Sequence, residues 1–213
     1  MNCSDARIKI TSENIRVTIV NTKRTLIIQA HPNPASFCQA LAEAYAVGAR
    51  SSGDNVRFIN LHALTFDPVL HQRNRGEQQL EADLLAAQNE ILWAEHLVFV
   101  YPNWWGSMPS LLKGFIDRSL LPGFAYRYRA NSALWDKLLT GRTARLLVTM
   151  DTPGWYYRWV WNRPGHNQMK HTILGFCGIK TTGISEFTPM HGSVQKTREQ
   201  WLSNATAMGK KRL

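Results

Sequence analysis

Residues 102–106 set two tryptophans side by side, Trp104 and Trp105, between Pro102-Asn103 and Gly106. A short apolar run precedes them and a helical period follows, so the pair falls in a strand-to-helix turn. Large flat side chains there can form a platform for a flat aromatic ligand, with Gly106 letting the backbone come close. They can equally be core or dimer-interface residues, and side-chain chemistry alone leaves both readings open. A second candidate is His31-Pro32-Asn33-Pro34-Ala35-Ser36, which runs from another apolar stretch into a helix. The start of a helix offers N–H groups and a dipole to an anion; His31 also reads as a capping or turn histidine. A third is the turn Asp151-Thr152-Pro153-Gly154, followed by the aromatic cluster Trp155-Tyr156-Tyr157-Arg158-Trp159. Absent are a Ser/His/Asp triad, a P-loop and a metal-spaced His pair. With seven dispersed histidines, no metal site is expected. Cys3, Cys38 and Cys177 are far apart and odd in number, which argues against a disulfide framework or zinc cluster. Cys177, in an apolar segment, reads as a core thiol.

The elements that must position these groups follow from periodicity. Thr25 to Ala30, Val56 to Leu61, Leu97 to Val100, Ala144 to Met150 and Ile179 to Phe187 are apolar, β-rich runs. Between them lie helical segments. Ser36 is a plausible N-cap for Phe37 to Arg50. Leu80, Leu84, Ala87, Ile91 and Leu92 share one face of a helix over 77–93. Met108, Leu111, Leu112, Phe115, Ile116 and Leu120 share one face of another, with Pro109 near its first turn. Met169 to Phe176 closes on Cys177-Gly178, with Gly178 as C-cap, and Val194 to Met208 forms the last helix. Residues 62–76 read as a polar loop and 134–141 as a connector. Five strands alternating with helices predict an α/β fold with one parallel sheet, order 2-1-3-4-5. Residues 1–23 stand apart as an N-terminal extension of unknown role, in which Ile15 to Val20 could pair at an edge; 24–213 form a single domain.

The stretch YPNWWGSMPSLLKGFIDRSLLPGFAYRY, together with TLIIQAHPNPASF, VTMDTPGWYY and ILGFCGIK, resembles the flavodoxin-like NAD(P)H:quinone oxidoreductases, the DT-diaphorase and modulator-of-drug-activity family. The similarity runs in order from about Arg24 to the C-terminus. It implies a flavodoxin-like three-layer α/β/α sandwich and a bound FAD, with FMN as the alternative. It also implies NAD(P)H as hydride donor, a quinone or other small aromatic acceptor, and ping-pong two-electron transfer in a homodimer.

By that resemblance, His31, Ser36, Phe37 and Cys38 fall at phosphate- and ribityl-contacting positions. Pro102, Asn103, Trp104, Trp105 and Gly106, with Thr149, Met150, Asp151 and Thr152, cradle the isoalloxazine ring. Tyr126 and Tyr128 line the substrate space, often against the flavin of the other subunit. Tyr157 matches a catalytic tyrosine whose hydroxyl steadies charge near the flavin carbonyl. Arg198, close to a family arginine that follows a histidine-containing loop, leans the choice toward FAD. The chain departs from the family at Asp151, where a glycine-rich turn is expected. Asn103 stands where close bacterial relatives carry an apolar residue, and His166 lies slightly beyond the family's relay histidine.

The net charge of +10 is spread over 25 basic residues, which suits attraction of anionic nucleotides more than a nucleic-acid groove. No apolar run reaches membrane-span length, and the first residues have no signal-peptide core; a cytoplasmic protein without membrane insertion or nucleic-acid partner is expected. Two other readings remain: an accessory subunit of a transporter, such as a potassium-efflux channel, with secondary reductase activity, and a one-electron carrier. The strongly basic balance disfavours the carrier.

Overall fold

The computed structural model describes residues 6–7, 20–71 and 78–211. Five parallel strands make the central sheet: β1 Arg24–Gln29, β2 Asn55–Asn60, β3 His96–Pro102, β4 Thr143–Thr149 and β5 Lys180–Phe187. Their spatial order is β2-β1-β3-β4-β5, as the element pattern predicts. β3 is central and buried along its whole length, which is why its sequence is nearly all apolar instead of alternating.

Successive side chains on a strand point to opposite faces, and here the two faces feed two cores. Ile27, Val98, Val100 and Leu147 pack with helices α1 (Phe37–Ser51) and α7 (Gln195–Lys211). Leu26, Ile28, Leu97, Phe99, Leu146 and Val148 pack with α2 (Ala82–Trp93) and α3 (Ser110–Ser119) on the other side. Past β4 comes α4 (Gly154–Trp159). It is followed by α5 (Pro164–Asn167), which continues through a π-helical stretch, Gln168–Leu174, into α6 (Gly175–Cys177). Gly178 ends it at φ +96°, the left-handed conformation a glycine C-cap supplies. α1 lies so close to α7 that a Cβ on Gly48 would sit 1.9 Å from Thr206 O, and one on Gly209 would sit 2.1 Å from Tyr45 O.

Two expectations are corrected. The helix expected over 77–93 begins at Ala82. The Glu81 backbone is extended and its carboxylate accepts from the buried Arg118 at 2.7 Å and from Asp67 N–H at 3.1 Å, so tertiary partners hold it out of the helix. The connector at 134–141 contains a strand, Trp135–Lys137, paired antiparallel with Tyr126–Tyr128. Trp135 stacks on Phe176 at 4.3 Å and donates its indole N–H to the Phe176 carbonyl, a long-range anchor that local pattern does not reveal. Pro109 is the N-cap of α3, beside its first turn as the pattern predicts. Of the proposed edge pairing at 15–20, only Val20 is described; Val20–Asn21 pairs with Ala6–Arg7, and residues 8–19 lie outside the described residues. Among the described residues no helix is long and apolar enough to cross a membrane, and no group of three or more His, Cys, Asp or Glu could hold a metal ion.

Candidate functional site

The carboxyl ends of β1, β3 and β4 open into one cleft of about 290 Å³. The turn after β1 contributes His31, Asn33, Ser36, Phe37 and Cys38; that after β3 contributes Pro102, Asn103 and Trp104; that after β4 contributes Thr149, Met150 and Asp151. Met190, from the loop after β5, completes the lining. This is the edge of a doubly wound sheet where ligands bind.

The first turn presents a helix N-terminus to the cleft. Asn33 accepts the Ala35 N–H at 2.9 Å, folding the chain toward Ser36, whose hydroxyl caps α1 by accepting from Gln39 N–H. Gln29, buried at the end of β1, donates to the same hydroxyl. The N–H groups of Ser36 and Gln39 are thus engaged. Helix geometry gives those of Phe37 and Cys38 no acceptor within the helix, and the first turn carries no acidic side chain. His31 receives the Asn33 N–H on Nδ1 at 2.9 Å, which requires that nitrogen unprotonated and places the ring proton on Nε2. Burial holds the imidazole below its ordinary pKa. Cys38 is buried against Thr149 Oγ1 at 3.3 Å, and burial pushes its thiol up to about 11; it is a packing residue without nucleophilic character.

The second turn is a tight hairpin. Trp104 and Ser107 exchange backbone hydrogen bonds, and the two residues between them, Trp105 and Gly106, take φ of +53° and +79°. Both central residues at positive φ is the type I′ pattern, natural for Gly106 and strained for a tryptophan. The turn is tied from behind: Asn103 N–H donates to Thr149 O at 2.7 Å, joining it to the third turn. Trp104 is half-exposed and meets His31 edge to face at 5.6 Å, so the first and second turns share a wall. In the third turn, Asp151 accepts the His191 N–H at 2.6 Å and Met150 O accepts the Met190 N–H, drawing the loop after β5 against the cleft.

Ten of the residues expected at the site therefore meet in the cleft: His31, Ser36, Phe37, Cys38, Pro102, Asn103, Trp104, Thr149, Met150 and Asp151. Seven others lie outside its lining. Trp105 projects into solvent. Gly106 carries the turn and faces Pro164 and Trp161. Thr152 uses its carbonyl to accept from Thr188 Oγ1, and Arg198 donates to Ser193 Oγ at 2.9 Å, bracing the loop after β5. Tyr126 packs edge to face on Tyr128 and Phe176 in the hairpin. Tyr157 is fully buried: its hydroxyl donates to Gly106 O and accepts from Gly165 N–H, both at 3.0 Å, and burial raises its pKa. These partners are those of a residue that holds the Trp104–Ser107 turn. Behind it His166 pairs with Glu186 at 3.1 Å, a hydrogen bond that keeps the carboxyl below its ordinary value. Two lining residues were missed. Asn33 had a signal, an Asx turn between two prolines; Met190 had none, since only the fold of the β5 loop brings it in.

A flavin fits these residues. The α1 N-terminus suits its phosphate, and the half-exposed Trp104 beside the Asn103 and Thr149–Asp151 backbone suits a flat ring with a polar edge.

A family model described as a flavodoxin-like fold matches residues 23–210. The chain is 29% identical over 185 residues to an uncharacterized NAD(P)H oxidoreductase of Haemophilus influenzae, covering 84% of this chain and 91% of that protein. It is 30% identical over 135 residues to NAD(P)H dehydrogenase (quinone) 1 of Cavia porcellus, a match spanning 54% of this chain and about half, 48%, of that relative. The crystal structure of Smu.1420 from Streptococcus mutans superposes with a TM-score of 0.77 at 30% identity, covering 88% of this chain and 99% of that one.

Proposed function

The chain belongs to the flavodoxin-like fold family, and from that premise we propose that it is a flavin-dependent NAD(P)H:quinone oxidoreductase. The observation that carries the reading is the convergence of an acid-free helix N-terminus and a tryptophan-walled turn in one cleft. The names of the Haemophilus and Cavia relatives, an NAD(P)H oxidoreductase and a quinone dehydrogenase, support the same activity. A bound flavin supplies hydride acceptance from NAD(P)H and two-electron delivery to a quinone-like acceptor, each substrate using the same space in turn.

The rest is the work of the chain. Phe37 and Cys38 N–H groups hold the phosphate, with His31 Nε2–H as a further donor. Trp104 and Pro102 form a wall for the ring, and Asn103 with the Thr149–Asp151 backbone meets its polar edge. Tyr157 fixes the Trp104–Ser107 turn through Gly106, and with it the wall that the ring would lie against. A second copy would complete the site in a homodimer, its Tyr126 and Tyr128 covering the substrate space; the modest cleft volume, about 290 Å³, at the lower bound of small-molecule sites, supports this. FAD is the expected flavin and FMN the alternative, with Arg198 acting on the choice through the β5 loop. The family match over residues 23–210 supports a flavin domain over residues 24–213. The enzyme works in the cytoplasm.

The test is the visible spectrum of the purified protein, with chromatography of released cofactor and NAD(P)H oxidation by a water-soluble quinone. A yellow protein releasing one flavin per chain and turning over is expected. A colourless protein that neither flavin reconstitutes overturns the reading.

A further inference from the structure

Two side chains of the cleft have bonding capacity that the fold leaves unused. Asp151 carries the only carboxylate among the described residues that line it. Its Oδ1 accepts the His191 N–H at 2.6 Å, while its Oδ2 has no hydrogen-bond or ion-pair partner among the described residues. Asn103, on the neighbouring turn, is half-buried, and its Nδ2 meets only Met150 Sδ at 3.9 Å. A thioether sulfur is a weak acceptor, so the amide keeps donor capacity. The turns that bear the two residues are locked together by the bond from Asn103 N–H to Thr149 O at 2.7 Å.

The cleft is therefore polarised. The first turn offers N–H groups, those of Phe37 and Cys38 and His31 Nε2–H, and the third turn offers a carboxylate oxygen. A carboxylate there repels a phosphate and so fixes which way round an anionic ligand enters. Its free oxygen calls for an N–H donor, and a charge-assisted bond of that kind is about twice as strong as a neutral one. An oxidised flavin ring carries a single N–H, at N3, flanked by two carbonyls, so that one edge presents acceptor, donor, acceptor in sequence. An acceptor and a donor on adjacent turns complement two neighbouring groups of that edge. A quinone, which has acceptors only, leaves the carboxylate without a donor.

We propose that Asp151 and Asn103 read this edge as a side-chain pair, Asp151 Oδ2 accepting the ring N3–H and Asn103 Nδ2 donating to the carbonyl beside it. The inference rests on the flavin reading above and adds to it the residue that selects and tunes the ring. A negative charge at that edge opposes the charge a flavin gains on reduction, so Asp151 holds the midpoint potential down. The rival role is a latch for the loop after β5, made through His191. Asp151→Asn separates the two: an amide oxygen still accepts the His191 N–H, while the charge and the second acceptor are gone. The test titrates parent and variant apoprotein with FAD and 3-methyl-FAD, and with FMN and 3-methyl-FMN, by flavin fluorescence. Methylation at N3 should weaken binding to the parent at least about tenfold more than binding to the variant. The midpoint potential of the bound flavin should rise in the variant. A latch would weaken methylated and unmethylated flavin alike and leave the potential where it is. Coupling below about tenfold, or an unmoved potential, overturns the proposal. Asp151→Ser takes the place of the Asn variant if far-UV circular dichroism shows that the latter does not fold. A parent that binds the methylated flavins as tightly as FAD and FMN overturns the proposal without any variant. Those results leave the reductase reading standing, since the parent still binds flavin; a parent that binds neither FAD nor FMN removes both.

Discussion

Tyr157→Phe separates a positioning role from a catalytic one. The hydroxyl makes two hydrogen bonds, to Gly106 O and from Gly165 N–H, both at 3.0 Å. Gly165 N–H also reaches Gly106 O directly at 2.9 Å, so deleting the hydroxyl leaves neither backbone group without a partner. The loss is that of two net hydrogen bonds with no orphaned group, about 1–2 kcal/mol in all. Carried entirely into the competence of the Trp104–Ser107 turn, that weakens flavin binding by about five- to thirtyfold. At saturating flavin the hydride-transfer rate should stay within about threefold of the parent, because no group facing the reacting atoms is removed. A hydroxyl that stabilised charge on the ring would behave in the opposite way, its removal slowing the chemical step by about 10²–10³. Fluorescence titration of the apoprotein with flavin gives the first quantity and stopped-flow reduction by NAD(P)H the second. Unchanged flavin affinity with hydride transfer a hundredfold slower would refute the positioning argument.

Two further outcomes concern the frame around the cleft. His96 is buried between Tyr45 OH at 3.2 Å and Thr143 Oγ1 at 2.8 Å, and burial first, then the charges of Lys23 and Arg145, pushes its pKa down to about 4. The unfolded chain takes up a proton there below about pH 6.5 and the folded chain does not, so stability is full above that value and falls as pH drops toward 4, by up to about 3 kcal/mol; urea unfolding at pH 7 and 5 should show this slope, and His96→Gln should flatten it. Gly209→Ala puts a methyl 2.1 Å from Tyr45 O and 2.9 Å from Ala49 N, backbone atoms that cannot turn aside, so the thermal midpoint should fall by the equivalent of about 3 kcal/mol or more; a midpoint within a degree of the parent would mean that α1 and α7 separate freely.

What could be read from the chain was whatever local pattern controls. The five apolar runs, their order in the sheet and the Ser36 cap follow from period and side-chain type, and each is present as expected. The start of α2 was misplaced because Glu81 answers to Arg118, 37 residues away. The Tyr126–Lys137 hairpin was missed because its anchor is the stack of Trp135 on Phe176. The same limit governs the site. Residues in the three turns converge because the strands bearing them are neighbours, which the topology implies. The direction in which Tyr157 points depends on how the backbone folds between Asn162 and Gly165. There Asn162 and Arg163 both take positive φ, without a glycine to announce it.

The helix whose N-terminus faces the cleft is backed by one made from residues 195–211, some 150 positions later in the chain. Contacts of such separation close late, because a long loop must be ordered before they form. During synthesis the N-terminus of α1 is therefore without its backing until α7 leaves the ribosome. On the flavin reading, cofactor loading would follow completion of the fold, and a nascent chain stalled before residue 195 should not retain flavin.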